Sequence, residues 1–152
     1  MNSTDIAWLV LRAVFAWMFL YPVPGLLRDW STTVETTSLF FKRQPQLCAA
    51  AAIAVMVSGG IMVLLGAYGR VGAAGLCVFS LGGARVHYQL AALAGNVRLT
   101  SDADPHNAEE AKRLSTLAVV GHVTSAQKNF VLTAVAAFIV LMGTGPWSMW
   151  PS

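Results

Sequence analysis

Four runs of apolar residues, Ile6 to Leu27, Leu47 to Ala67, Val71 to Ala94 and Phe130 to Trp147, contain no aspartate or glutamate. Each is close to the roughly 20 residues that an α-helix needs to cross the hydrocarbon core of a bilayer. In lipid every backbone N–H and C=O must find its partner within the chain, so such runs fold as helices. The composition agrees, with 56% of residues hydrophobic and 11% charged, against roughly 25% charged in a soluble domain. That excludes a water-soluble enzyme fold and a disordered tail. The expectation is an all-α, integral membrane four-helix bundle forming one domain over residues 1–152, with loops at 28–46 and 95–129.

The first run is read as a true span rather than a secretory signal. Asp5 precedes it with no lysine, Arg12 lies within it, and no small-x-small cleavage pattern follows. Pro22 and Pro24 remove backbone donors near its end, so the helix is expected to kink or stop there. Four spans put both termini and the turn at Gly66 to Arg70 on one side of the membrane. The two longer loops on the other side hold Arg28, Lys42, Arg43, Arg98, Lys112, Arg113 and Lys128, against Arg70 alone opposite. By the positive-inside rule the loops are cytoplasmic and both termini lie outside, in the cell inner membrane. Trp147, Trp150 and Tyr68 then form an aromatic belt at the outer surface. A pI near 9.2 is accounted for by this sidedness facing anionic lipid, and no nucleic-acid partner is expected.

In the second loop, Asp104-Pro105 followed by Glu109 and Glu110 reads as a helix start, with a capping carboxylate and proline at the first helical position. Leu114, Leu117 and Ala118 share a face, which predicts a short interfacial helix between the third and fourth spans. Between spans, small residues at helical spacing allow close packing. Ala50, Ala54 and Ser58 make one such stripe, with Gly59-Gly60 beyond it, and Ser80, Gly83, Ala84, His87 and Ala91 make another.

Ionisable groups inside a span are costly and mark candidate functional sites. Here they are Arg12, Arg85 and His87, and no acid within a span is available to pair with either arginine. Counted by helical rise, Arg85 lies about 21 Å below the outer end of its span and Arg12 about 9 Å. Each has a bland reading, in which its long stem carries the charge to the headgroups. In the functional reading Arg85, with Tyr88 and Gln89 on the same helical face, donates to a buried acceptor such as a quinone carbonyl, a lipid phosphate or an acid of a partner subunit. Arg12 faces the same alternatives. His87 points to nearly the opposite side of its helix, either bridging to a neighbouring helix or serving as proton partner of a quinone. A haem held by His87 and His122 is disfavoured, because His122 is expected in the cytoplasmic loop. Cys48 and Cys77 lie toward opposite ends of their spans, too far apart to bridge. No CxxC or Cys/His cluster points to zinc or iron–sulfur, so no metal ligand is assigned.

These residues resemble the DoxX family of small four-helix membrane proteins. The likeness is carried by Arg12, by Gly59-Gly60-Ile61-Met62-Val63-Leu64-Leu65-Gly66 with Arg70, by Ala84 and His87, and by Lys128-Asn129 through Gly143-Thr144-Gly145-Pro146-Trp147-Ser148. Where the family often has glutamate shortly before the glycine pair, this chain has Met56. Where the family often ends its last motif with an acid, it reads Met149-Trp150. The resemblance implies a redox context, since the family includes subunits associated with thiosulfate:quinone oxidoreductase activity and others that look like anchors of oxidative-stress proteins. Two functions follow as expectations. One is a quinone-linked subunit using Arg12, Arg85, Tyr88 and Gln89 to hold the ligand and His87 to handle a proton. The other is a non-catalytic scaffold recruiting a partner through its cytoplasmic loops. Expected partners are membrane lipids and a second copy or another subunit.

Overall fold

The structure, a computed structural model, describes residues 2–97 and 104–150. The described residues fold into six helices: α1 (Ser3–Leu20), α2 (Val23–Arg28), α3 (Trp30–Ser38), α4 (Pro45–Leu65), α5 (Gly69–Gly95) and α6 (Pro105–Met142). The all-α membrane class is the one expected. Three stretches, Ser3–Arg28, Pro45–Leu65 and His106–Met142, are long and apolar enough to cross a membrane. α5 has the length, 27 residues, but Arg85, His87 and Gln89 dilute its apolarity.

Local chemistry sets the boundaries. α1 stops at Leu20 and the chain turns through Tyr21 and Pro22 into α2, as the proline pair predicts. Pro24 sits in the first turn of α2, where its missing N–H costs nothing. Asp29 caps α3, its Oδ1 accepting from Thr32 N at 3.4 Å, and Thr33 Oγ1 donates to Leu26 O at 2.9 Å, tying α3 back to α2. α3 falls in the stretch read from sequence as loop. Its threonine-rich composition argues against helix, and the Asp29 cap was the signal that favoured it. α4 ends at Gly66, whose φ of 69° is a left-handed cap that glycine adopts without strain.

The helix predicted after Asp104 is present, with His106 N donating to Asp104 Oδ1 at 2.8 Å. It does not end before the fourth apolar run. The two form one 38-residue helix, α6, about 57 Å long by helical rise, longer than the roughly 30 Å hydrocarbon layer.

The chain divides into two compact units: residues up to Phe79 with those from Leu132 onward, and Ser80–Val131. The first unit holds the apolar core, built on Phe15 and Phe19 of α1, Ile53, Met56 and Val63 of α4, Leu76 of α5 and Ile139 of α6. Met56 is part of this core. α4 and α5 meet at Gly59 and Gly72: a Cβ on Gly72 would lie 2.7 Å from Met62 Cβ and 2.9 Å from Gly59 O. The stripe predicted on α4 is displaced. Ala50, Ala54 and Ser58 are exposed, while Ala49, Ile53, Met56, Gly59 and Gly60 are buried. Small size alone does not tell a packed face from a lipid-facing one, and the bulky residues that decide it stand one position away. The stripe predicted on α5 is buried at Ser80, Ala84 and Ala91.

Candidate functional site

Arg12 is 2% exposed and belongs to the first unit. Its Nε donates to Val63 O at 3.1 Å and Nη2 to Leu64 O at 2.6 Å. Both acceptors lie in the last turn of α4, where the helix ladder runs out of donors; Val63 O also accepts from the cap Gly66 N at 3.2 Å. Nη1 reaches past the end of α6, to Thr144 O at 3.4 Å, Trp147 O at 3.3 Å and Ser148 Oγ at 3.4 Å. Ser148 Oγ in turn lies within hydrogen-bonding distance of Thr144 Oγ1 at 2.8 Å and Gly145 O at 2.7 Å. Met149 N donates to Leu65 O at 3.1 Å. One guanidinium thus joins α1, the end of α4 and the segment after α6. A carboxylate is unnecessary, because helix C-terminal carbonyls supply the negative potential that a buried cation needs. Tyr68 and Trp150 stack beside this junction, ring centroids 6.1 Å apart.

The second unit holds the other residues singled out from sequence. Arg85, Tyr88 and Gln89 occur at i, i+3 and i+4 on α5, and all three are exposed. The Tyr88 ring lies 6.3 Å from that of Phe130 on α6. Arg85 makes no hydrogen bond or ion pair with any described residue. His87 faces the other way, toward α6, and its Nδ1 lies 3.3 Å from His122 Nδ1. The two rings, half-buried, have centroids 5.5 Å apart and are tilted by 34°. A single proton on one Nδ1 makes this contact a hydrogen bond; which ring carries it depends on tautomer.

The α5–α6 pair is close along its length. Ser115 Oγ donates to Ala94 O at 2.6 Å, and a Cβ on Gly83 would lie 2.9 Å from Asn129 Nδ2. Ser80 is fully buried and its Oγ has no partner among the described residues.

The sequence reading weighed His122 only as a haem partner of His87 and set it aside. It expected the two histidines in different environments, and the unbroken α6 brings them together. The signal was present: between Pro105 and Phe130 the chain has no further proline and one glycine, Gly121. Cys48 and Cys77 are both free and half-buried, and the Cys77 thiol donates to Thr133 O at 3.9 Å.

A helical bundle with uncovered apolar faces, a buried cation answered by backbone carbonyls and an uncovered cation on a long helix defines a polytopic α-helical membrane protein. The family model for DoxX matches residues 7–89, a stretch that contains Arg12, the α4 glycines, Arg85 and His87. The chain belongs to the DoxX family. No curated protein matches it, and no solved structure does.

Proposed function

We propose that this DoxX protein is an inner-membrane subunit in a redox setting that holds a quinone or a similar apolar ligand on the outer face of α5. Arg85, Tyr88 and Gln89 bind the ligand's oxygen atoms, while His87, turned toward His122 on α6, does not touch the ligand on this reading. One observation supports this above others. Of the two arginines within the spans, Arg12 has five acceptors in its own chain, whereas Arg85 has none among the described residues. An uncompensated guanidinium at membrane depth is costly, and a bound carbonyl or phosphate oxygen relieves that cost. Tyr88 adds a donor and a flat ring, and Gln89 adds a donor and an acceptor. Arg12 holds the bundle together on this reading and does not contact the ligand.

A scaffold role has its own support. Leu114, Leu117 and Val120 on the first half of α6 are 60%, 59% and 55% exposed, next to Lys112 and Arg113. This apolar and basic face suits a partner protein.

One preparation tests both. Full-length protein is extracted gently and its bound small molecules and co-purifying proteins are identified by mass spectrometry. The ligand reading expects a quinone retained by wild type and lost by at least about tenfold in Arg85→Ala, the effect of one charge-assisted hydrogen bond. Equal quinone content in wild type and Arg85→Ala overturns it. A stoichiometric protein lost on joint Lys112→Glu and Arg113→Glu substitution, with no quinone, supports the scaffold instead.

A further inference from the structure

The histidine pair carries an inference independent of the quinone reading. We infer that His87 and His122 form a binding site for a borderline transition-metal cation of the zinc(II) type, held by the two Nδ1 atoms. Zinc binds imidazole nitrogen at about 2.0–2.1 Å in tetrahedral geometry. Two such bonds at the tetrahedral angle place the nitrogens about 3.3 Å apart, and the observed separation is 3.3 Å. A metal would enter between the two Nδ1 atoms in place of the proton they share.

The surroundings fit an open site. No third histidine, cysteine, aspartate or glutamate joins the pair among the described residues, so water or a donor from a bound molecule completes the coordination. Both histidines are half-buried, so water reaches the pair and can complete the coordination. Ala84, Ala91 and Ala126 are buried around the pair and contribute no competing side-chain polar atom. Lys128, whose charge reaches His87, opposes a cation, so the affinity expected is that of an exchangeable site and weaker than that of a closed structural zinc site.

The test uses full-length protein in detergent, with any affinity tag removed. Cobalt(II) serves as a spectroscopic probe and zinc(II) is titrated calorimetrically. The site predicts one saturable ion per chain, released by chelator, with a metal-dependent rise in the thermal midpoint. His87→Ala and His122→Ala should each weaken binding by at least about tenfold, while His106→Ala binds as wild type does. His122→Gln keeps a hydrogen-bonding side chain beside His87 and must also lose the metal, which separates ligation from packing. Absence of saturable binding by folded wild type overturns the site. So does binding that survives in His87→Ala or His122→Gln of unchanged helical content.

Discussion

Arg12 and Arg85 carry the same charge on the same kind of helix, and their surroundings give them different work. The Arg12 guanidinium spreads its donors over two carbonyls of α4 and three acceptors beyond α6. A lysine in its place offers three donors from one point and cannot span that arrangement. Arg12→Met removes the guanidinium from all five acceptors, of which only Val63 O, through Gly66 N, and Ser148 Oγ keep other contacts among the described residues, each charged-group hydrogen bond being worth about 1.5–3 kcal/mol. The expected loss is about 3 kcal/mol or more for Arg12→Met, with Arg12→Lys intermediate, both read as a lowered thermal midpoint in detergent. A midpoint for Arg12→Met equal to wild type would remove Arg12 from its anchoring role. That Arg12 is special was legible in the sequence, because no acid in a span balances it. Its partners were not, because main-chain carbonyls at a helix end leave no trace in side-chain chemistry.

At the level of helices, the tightest constraint is the crossing of α4 and α5 at Gly59 and Gly72. A methyl on Gly72 meets Met62 Cβ and the backbone of Gly59, and backbone cannot move aside without separating the helices. Gly72→Ala should therefore destabilise the bundle by about 1–3 kcal/mol, the usual penalty of overpacking. Gly82, on the same helix, has nothing within 4 Å of a built Cβ. Gly82→Ala should be neutral or stabilising by up to about 1 kcal/mol, since it limits the freedom of the unfolded chain and favours helix. Thermal unfolding of both variants side by side checks the contrast, and equal destabilisation would mean that the crossing does not limit packing. Helix ends were readable wherever a residue forces them, at Pro22 and Pro24, at Gly66 and at Asp104-Pro105. α3 was not, since threonine-rich helices depend on tertiary support such as the tie from Thr33 to α2. The α4 face also escaped, because small residues line both its packed and its uncovered sides.

At the scale of the whole molecule, basic residues divide unevenly between the connections of the apolar runs. In chain order Arg28, Lys42, Arg43, Lys112, Arg113 and Lys128 fall in the two longer connections between apolar runs, and Arg70 falls in the short one beside Tyr68. A charge bias of this kind orients a membrane protein through its short cytoplasmic segments. α6 sharpens the expectation. At about 57 Å by helical rise it exceeds the roughly 30 Å hydrocarbon layer, so its Pro105 end, with Glu109, Glu110, Lys112 and Arg113, is expected to extend into water. An exposed cysteine there reports the orientation directly. In a background with Cys48 and Cys77 replaced by alanine, Thr116→Cys in intact cells should resist a membrane-impermeant maleimide and react once the membrane is opened. Tyr68→Cys, in the short connection and exposed, should react without opening. The reverse pattern would put the loops outside.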